Sequence, residues 1–454
     1  MPYVFRLAAV TLPLILLAGC RGGSAASPAL PFAPQAREVA LSSKIKHVIV
    51  VVQENRSLNN LFAGFPGART VSYGFDSNDK KVPLKPVGLE AKWDISHNGI
   101  TVITACNGVG SIAGTDCRMN GFDKEQMLLC GRVGEPKCPK DGAYAYVPHP
   151  EIEPYFDMAK NYVLADEMYS SDFDASSFVS HQYIIAGQAE ASVDYPDVKG
   201  LWGCPGGPVD KIGTIDMNRH FPAGYETVCW DDTTLGDELD AAGVPWAYYA
   251  GGIGKSGGIW SAYQAVKHIY KGADWAKDVI SPQTKFFDDI KHGKLRAVSW
   301  VTPTYPNSDH SGSGSKTGPS WVAAVVNAIG KSQYWSSSAI FVFWDDYGGW
   351  YDPAPPAYAD YDGLGFRLPL VIISPYAKLG HVSHVYYEHG SILKFIEDTF
   401  GLARLAPSDK RATSPASDCF DFTAPGRAFV PIKAPYDENF FRHQPLDNRA
   451  PDTE

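Results

Sequence analysis

Two stretches of this chain are almost continuously apolar, and each runs into a pair of polar side chains. The stretches and the pairs that follow them are His47–Gln53 with Glu54-Asn55 and Ala339–Trp344 with Asp345-Asp346. Long apolar runs rich in β-branched and aromatic residues are typical of strands buried on both faces. Because ligands bind beyond the carboxyl ends of strands in open α/β sheets, we expect three carboxylates and an amide to converge there. Oxygen atoms of this kind could hold a divalent cation.

Other segments predict further strands and helices in alternation. Strand patterns occur at Tyr162–Ala165, Val244–Tyr249, Arg296–Val301 and Leu368–Ile373. Apolar residues recur at the three- and four-residue spacing of helices in Asp232–Ala242, Ser320–Ser332 and Ser391–Phe400. This alternation predicts an α/β protein with a mostly parallel sheet and helices on both of its faces. The segment Ala63–Asp141 fits poorly, and we expect it to be an insertion over the edge of the sheet.

The N-terminus has the pattern of an export signal. Arg6 precedes the apolar stretch Leu7–Leu17, which is too short to span a bilayer and is followed by small residues. The residues from Leu17 to Cys20 resemble the bacterial lipobox, in which cleavage precedes the cysteine and its sulfur carries lipid. An ordinary small-residue cleavage site is the alternative. We therefore expect an exported protein that is anchored in the bacterial cell envelope through lipidated Cys20.

The cysteines favour disulfide bonds, which export makes possible. Four lie in an irregular segment and two bracket a loop rich in Gly and Pro: Cys106, Cys117, Cys130 and Cys138, then Cys204 and Cys229. The simplest pairing gives two bridges in the first group and one in the second, and it leaves Cys419 single. The sequence does not fix the partners. A zinc site built from the first four is the competing interpretation, although no close C-x-x-C pair supports it.

Composition and charge narrow the possible functions. The chain has 454 residues, of which 44% are hydrophobic, and its formal net charge is -10. The acidic balance argues against nonspecific nucleic-acid binding, because no basic cluster is available to displace counterions from phosphates. We expect one large domain over residues 44–435 with an inserted, disulfide-containing segment at 63–141. A signal peptide at 1–19 and a flexible tether at 20–43 would precede it, and a tail at 436–454 would follow.

Two further strand ends carry side chains that could react with a substrate. A helix is predicted to begin near Ser176, and a hydroxyl at its N-terminus would lie where N–H groups and the helix dipole favour a phosphate or an alkoxide. Both Ser176 and Ser177 could instead serve only as caps. His310 follows the strand at Arg296–Val301 in a loop rich in Gly and Ser, where a histidine could protonate a leaving group or remain a solvated loop residue.

Four ordered motifs resemble those of the bacterial phosphoesterase family, which includes phosphatidylcholine-type phospholipases C and related acid phosphatases. They are Gln53-Glu54-Asn55-Arg56-Ser57, Asn307-Ser308-Asp309-His310, the stretch from Trp344 to Asp352, and the stretch from Phe366 to Ala377. The resemblance runs from about Lys44 to about Asp421. It implies a three-layer α/β/α sandwich like that of alkaline phosphatase, and hydrolysis of phosphate esters through a metal-assisted phosphoserine.

The resemblance also implies roles for individual residues. Glu54, Asn55, Asp345 and Asp346 match the metal and phosphate ligands of the family. Ser177 matches its nucleophile, and His310 matches the histidine that contacts phosphate and protonates the leaving oxygen. His97 resembles a histidine of the family's inserted segment. Together these matches imply that Ser177, His310, His97 and Asn55 are catalytic, and that Asn55, His97 and His310 also bind the substrate.

An all-oxygen ligand set leaves the metal open between calcium, magnesium, manganese and zinc. The sequence departs from the common family pattern after Arg56, within Ser57–Phe62, where many members carry Phe, Asp and His, and at Pro353, where a histidine is frequent. Three functions stay open. They are an acid-phosphatase-like monoesterase, which we favour, a phospholipase C acting on phosphatidylcholine-type diesters, and a lipid-anchored binding protein that has lost catalysis.

Overall fold

A nine-stranded sheet forms the centre of the protein. The computed structural model describes residue 41 and residues 43–196, 202–252 and 261–445. The strands of this sheet are β1 (His47–Gln53), β2 (Val163–Tyr169), β3 (Trp246–Tyr249), β4 (Val279–Ile280), β5 (Val298–Val301), β6 (Ser338–Trp344), β7 (Arg367–Ile373), β8 (His381–Ser383) and β9 (Tyr387–Glu388). Their order is β4-β3-β5-β1-β6-β7-β2-β8, and β9 also pairs with β2.

Strand direction is parallel everywhere except around β7. The pairs β4–β3, β3–β5, β5–β1 and β1–β6 are parallel, whereas β7 is antiparallel to both β6 and β2. Two antiparallel steps restore the original direction, so β2 runs the same way as β6. The carboxyl ends of β5, β1, β6 and β2 therefore lie at one edge of the sheet. The prediction of a mostly parallel sheet is confirmed.

The helices lie on both faces of the sheet, as predicted. They are α1 (Leu58–Phe62), α2 (Gly99–Cys106), α3 (Glu153–Asn161), α4 (Ser177–Ala186), α5 (Leu235–Ala241), α6 (Lys267–Lys271), α7 (Ala273–Lys277), α8 (Lys285–Lys291), α9 (Gly318–Gly330), α10 (His389–Phe400), α11 (Pro407–Arg411) and α12 (Glu438–His443).

Strand β6 shows why two helical layers are needed. Its residues are all buried, and successive side chains point to opposite faces. Phe341 contacts Phe395 of α10, with ring centroids 4.8 Å apart. Trp344 contacts Tyr155 of α3 at 5.0 Å. Because Phe341 and Trp344 are three positions apart, α10 and α3 cover opposite faces, which gives an α/β/α sandwich.

Short strands outside the central sheet form smaller pairings. Antiparallel pairs join Tyr73–Phe75 to Lys81–Pro83 and Asp94–Ile95 to Met127–Leu128. A parallel pair joins Lys85–Pro86 to Ala145–Tyr146, and Lys211–Thr214 lies between Ser192–Val193 and Gly224–Thr227.

The described cysteines form three disulfides and leave one thiol. The bonds are Cys106–Cys117, Cys130–Cys138 and Cys204–Cys229, and Cys419 is free and buried. The simplest pairing predicted from the sequence is confirmed. The zinc interpretation of the first four is wrong, because their sulfurs are bonded to one another.

Strand β2 extends four residues beyond its predicted end at Ala165. The sequence pattern breaks at Asp166, an acidic residue that would ordinarily stay in water. In the structure Asp166 is buried, and its carboxylate accepts hydrogen bonds from Arg69 N and His384 Nδ1, each at 2.8 Å. These partners offset the loss of hydration, so the strand continues to Tyr169.

The segment predicted to lie over the edge of the sheet packs over the carboxyl ends of its central strands. Its Trp93 packs on Trp350, with ring centroids 5.3 Å apart, and its His97 contacts Asn55, the second residue after β1. Burial of apolar side chains explains the location, because Ile95 is fully buried and packs closely against Gly349.

The two ends of the chain fall partly outside the described residues. The predicted signal peptide at 1–19 and Cys20 lie outside them, as does most of the tether. Within the predicted tail at 436–454, Glu438–His443 is helix α12, and its Phe441 contacts Trp321 of α9 at 5.3 Å. None of the helices in the described part of the chain is long and apolar enough to cross a membrane.

We expect Phe341→Ala to lower the free energy of unfolding by about 3–5 kcal/mol, because it removes a fully buried ring from between the sheet and α10. Chemical denaturation followed by circular dichroism measures the change. Tyr225→Ala is the matched control: its ring is 68% exposed, so the change should stay within about 0.5 kcal/mol. Equal effects of the two substitutions would contradict this account of the core.

Candidate active site

Side chains from four segments meet beyond the carboxyl ends of the central strands. Glu54 and Asn55 follow β1, Asp345 and Asp346 follow β6, His310 follows β5, and Ser177 begins the helix after β2. Parallel strand direction brings these segments to one edge, where ligand sites form in α/β sheets. His97 reaches the same place from the inserted segment.

The pairing of β1 with β6 fixes the two polar pairs next to each other. Asp345 N donates to Gln53 O at 3.1 Å, and Asn55 N donates to Asp345 Oδ1 at 3.2 Å. Asn55 has φ of 59°, and Gly348, opposite it, has φ of 61°. A Cβ at Gly348 would lie 2.1 Å from Asn55 O, so only glycine fits there. This turn after Asp346 brings its carboxylate towards the same side as Asp345.

A group of three buried side chains has the spacing of metal ligands. Glu54, His181 and Asp345 each offer one ligand atom, and these atoms lie within 4.8 Å of one another. His181 Nε2 is 2.9 Å from Glu54 Oε1 and 3.5 Å from Asp345 Oδ2. All three residues are fully buried. The residues present therefore fit a divalent cation, with a nitrogen ligand that the predicted all-oxygen set did not include.

The Asn55 amide lies between the carboxylates and the two histidines. One of its end atoms lies 2.7 Å from Glu54 Oε2 and 3.1 Å from Asp345 Oδ1, and the other lies 2.8 Å from His97 Nε2 and 3.1 Å from His310 Nε2. With nitrogen towards the carboxylates, the amide donates to both. With oxygen towards them, three acceptors face one another without a hydrogen between them, an arrangement that a bound cation stabilises.

Buried negative charge also distinguishes the two aspartates. Burial and the charges of Asp345 and Glu54 raise the pKa of Asp346 well above its usual value. Burial opposes ionisation of Asp345 as well, but the hydrogen bond and charge of His181 outweigh it, and the pKa of Asp345 is lowered. Three carboxylates in one dry site repel one another, and a cation would relieve that repulsion.

Ser177 faces the centre of this arrangement. Its Oγ lies 3.1 Å from Asp346 Oδ2 and 3.4 and 3.5 Å from the two ends of the Asn55 amide group. Ser177 is the first residue of α4, with Ser176 as N-cap. The first turn of a helix leaves N–H groups unused, and its dipole favours an anion. Ser176 Oγ donates instead to Asp194 O at 2.6 Å, outside the site.

The two histidines present the same ring nitrogen to the site. His97 Nδ1 is 2.8 Å from Ile95 O, and His310 Nδ1 is 2.6 Å from Ser311 O. A carbonyl oxygen only accepts, so Nδ1 carries a hydrogen in both rings, and Nε2 of each ring faces the Asn55 amide within the site. Asp94 Oδ2 lies 3.8 Å from His310 Nδ1. His310 is buried and so is not the solvated loop residue of the alternative interpretation.

The inserted segment forms one wall of the site. Ser311 Oγ donates to Trp93 O at 2.7 Å, and Gly312 N donates to Ala91 O at 3.0 Å. These bonds join the segment to the loop of His310.

All of the predicted site residues are brought together, but their neighbours differ from the prediction in one respect. Asp346 lies against Ser177 and Gly348 N rather than within the three-residue group, where His181 takes part instead. Sequence reasoning missed His181. The signal was its position four residues after Ser177 on a predicted helix, because such residues share a helix face.

The chain belongs to the phosphoesterase family. The sequence model of that family matches residues 45–403, which is more than half of the chain. The resemblance stated from the motifs is thereby confirmed.

The relatives of this chain include phospholipases C. It is 25% identical over 444 residues to the hemolytic phospholipase C of Pseudomonas aeruginosa, covering 84% of this chain and 56% of that protein. It is 24% identical over 419 residues to non-specific phospholipase C1 of Arabidopsis thaliana, covering 83% and 70%. It is 24% identical over 438 residues to phospholipase C B of Mycobacterium tuberculosis, covering 84% and 78%. The chain thus spans just over half the length of the first of these relatives.

Similar solved structures include a protein of the alkaline phosphatase superfamily from Vibrio parahaemolyticus, with a TM-score of 0.36, 10% identity and coverage of 83% of this chain and 77% of that one. The PsFucS1 sulfatase from Pseudoalteromonas has a TM-score of 0.43, 10% identity and coverage of 88% and 78%. The family match and the phospholipase relatives support a hydrolase of phosphoric esters as the class of enzyme.

We expect His181→Asn to weaken divalent-metal binding by at least about 10-fold, because it removes the nitrogen of the three-residue group. Titration calorimetry of chelator-treated protein with zinc, manganese and calcium measures the affinity. His220→Asn is the matched control, since the His220 side chain is 77% exposed and lies 3.0 Å from a single exposed carboxylate of the described residues, that of Asp216. Unchanged affinity in His181→Asn would mean that His181 does not hold the metal.

Proposed function

We propose that this protein is a metal-dependent phosphoesterase of the acid-phosphatase type, which cleaves phosphate monoesters through a phosphoserine at Ser177. The observation that carries the proposal is the position of Ser177 Oγ, 3.1 Å from Asp346 Oδ2 and next to the Asn55 amide. A hydroxyl at a helix N-terminus and beside a candidate cation site has the surroundings that a nucleophile for phosphorus needs.

Glu54, His181 and Asp345, with the Asn55 oxygen, would hold the cation, and Asp346 would face it from the side of Ser177. A divalent cation in this position lowers the cost of forming an alkoxide and offsets negative charge that develops on phosphoryl oxygens. Zinc and manganese suit the mixture of imidazole and carboxylate better than calcium or magnesium does.

The other side chains of the site would orient the nucleophile, transfer protons and bind the phosphoryl oxygens. Asp346 accepts the hydrogen bond of the Ser177 hydroxyl and so orients Oγ. Asp346 takes the proton of the Ser177 hydroxyl as Oγ forms a bond to phosphorus, the bond from phosphorus to the ester oxygen breaks, and protonated His310 gives that oxygen the proton on Nε2. Water then attacks phosphorus and gives a proton to His310, and Asp346 returns its proton to Ser177 Oγ as the phosphoserine bond breaks. The N–H groups of α4, Asn55 and His97 would bind the phosphoryl oxygens.

Phospholipase C activity is the second candidate, and the similarity of this chain to phospholipases C favours it. The commonest family pattern has a threonine at the nucleophile position, and the serine that stands there in this chain, Ser177, favours the monoesterase. The two candidates differ in what lies beyond the phosphoryl group, since a phospholipase C needs space for a diester with acyl chains.

We expect purified protein without residues 1–20 to hydrolyse p-nitrophenyl phosphate, with turnover lost in chelator and restored by added metal. Ser177→Ala should lower kcat on the order of 10³-fold or more, because no other hydroxyl occupies its place. Ser176→Ala is the matched control, since Ser176 Oγ bonds to Asp194 O and should contribute little to turnover. Release of p-nitrophenolate measures the rates.

The same assay with p-nitrophenyl phosphorylcholine separates the candidates. If the protein prefers the choline diester, the proposed function changes from a monoesterase to a phospholipase C. Metal-loaded, folded protein that cleaves neither ester would favour a binding protein that has lost catalysis. Turnover that survives in Ser177→Ala would overturn the phosphoserine mechanism.

We also propose that the protein is exported and anchored by lipid on Cys20. Three disulfides favour an oxidising compartment, and the residues from Leu17 to Cys20 favour lipidation. Cells that express the full chain should incorporate labelled palmitate into it, and Cys20→Ala should not be labelled. Equal labelling of both chains, or labelling of neither, would contradict the anchor.

A further inference from the structure

Arg56, the residue after Asn55, is a fully buried arginine whose hydrogen bonds go to uncharged oxygens. Its Nε donates to the backbone oxygen of Asp309 at 2.7 Å, and one terminal nitrogen donates to Asn60 Oδ1 at 3.2 Å. The guanidinium carbon lies 4.6 Å from the ring centroid of Trp350. One side chain thus connects the end of β1, the loop after β6 and the loop that carries His310.

Burying a guanidinium costs free energy, so this position needs a reason beyond packing. Burial lowers the pKa of Arg56 to about 10, against the opposing charge of Asp309, so the side chain stays protonated at neutral pH. Its planar fork can stack on an indole and aim a donor at a carbonyl at the same time, which a lysine cannot do.

Asp309 is held at both of its ends. Its backbone oxygen accepts from Arg56, and its carboxylate accepts from Tyr155 OH at 2.7 Å and from Trp344 Nε1 at 3.1 Å. The residue before His310 therefore cannot shift without breaking a buried hydrogen bond.

His310 depends on that fixed residue for its own position. Its backbone N donates to Ser308 Oγ at 3.2 Å, and its Nδ1 is 2.6 Å from Ser311 O. Both of these bonds lie within its own loop. The loop is joined to the end of β1 by Gln53 Nε2, which donates to Asn307 O at 3.4 Å, and by Arg56 Nε, whose bond to Asp309 O is shorter, at 2.7 Å, and lies next to His310.

We propose that Arg56 is a positioning residue for His310: its guanidinium, stacked on Trp350, holds Asp309 O and thereby sets the distance from His310 Nε2 to the reacting phosphate ester. The inference rests on the proposed function, in which His310 protonates the leaving oxygen. A displacement of about 1 Å at a catalytic group can cost 10²-fold in rate.

The test compares Arg56→Lys with Arg219→Lys on two monoesters, p-nitrophenyl phosphate and glycerol 3-phosphate. Arg219 is the matched control, because it is 2% exposed, donates to the backbone oxygens of Tyr361 and Gly363 at 2.8 Å each, and stacks on Phe173 at 4.5 Å. An alkoxide leaves poorly without a proton, whereas p-nitrophenolate leaves readily, so loss of the acid affects the first ester far more.

We expect Arg56→Lys to lower kcat for glycerol 3-phosphate at least about 30-fold more than for p-nitrophenyl phosphate, with KM within about 3-fold. Arg219→Lys should change both esters equally. In a His310→Ala background, Arg56→Lys should cause no further loss beyond about 2-fold, because residues that act through one another are not additive.

Equal losses on the two esters, no loss, or full additivity with His310→Ala would each overturn the proposal. If Arg56→Lys does not fold, as judged by circular dichroism, Trp350→Phe replaces it. That change keeps Arg56 and shrinks the aromatic surface on which it stacks. The loss of kcat should again be larger for glycerol 3-phosphate than for p-nitrophenyl phosphate, but the difference should be smaller than in Arg56→Lys. Equal losses in Trp350→Phe would overturn the proposal as well.

Failure of the proposed function would look different. The proposed function fails if the wild-type protein cleaves neither ester, or if His310→Ala lowers kcat equally for both esters. The position of His310 is then read from its imidazole ¹⁵N NMR signals. A signal that moves in Arg56→Lys and not in Arg219→Lys supports the positioning role, and a signal that moves in neither overturns it.

Discussion

The concentration of buried negative charge at one edge of the sheet is the constraint on which the site depends. Glu54, Asp345 and Asp346 are all fully buried, and the charge of its neighbours helps to raise the pKa of Asp346. Such an arrangement is stable only with compensating positive charge or protons. Without the cation, His181 provides part of the compensation through its contacts with Glu54 and Asp345, and the proposed cation would take over that role with His181 as one of its ligands.

Strand direction is what brings these charges together. Parallel pairing of β1 with β5 and β6 places three strand ends side by side, and the antiparallel β7 returns the chain so that β2 ends at the same edge. The nucleophile candidate, the carboxylates and His310 therefore come from segments far apart in sequence but adjacent in space. The inserted segment closes the arrangement and contributes His97, and its two disulfides hold the chain where regular structure is scarce.

The positions that depart from the common family pattern have structural partners here. Asn60 accepts from Arg56 and donates to Ala145 O at 2.9 Å, and Asn59 Oδ1 accepts from Val71 N at 2.7 Å. Asn59 thus joins the inserted segment to the chain after β1, and Asn60 joins the chain just beyond that segment to the same place. Arg56 contacts Asn60 on one side and the loop of His310 on the other. A site built in this way gains rigidity from residues that would not touch a substrate.

The sequence by itself determined the strand cores and the mostly parallel sheet, and its motifs predicted most of the side chains that the structure brings together at the strand ends. Continuous apolar runs such as Ala339–Trp344 leave little choice but a buried strand, and the motifs after them carry their own chemistry. Local pattern failed at Asp166, which continues a strand because Arg69 and His384 satisfy its carboxylate. Nor does local pattern specify how the inserted segment packs, because its location depends on contacts such as Trp93 with Trp350. Only the tertiary structure decided that His181 joins the carboxylates and that Arg56 reaches Asp309, because such contacts join residues more than 100 positions apart and leave no periodic signal in the sequence.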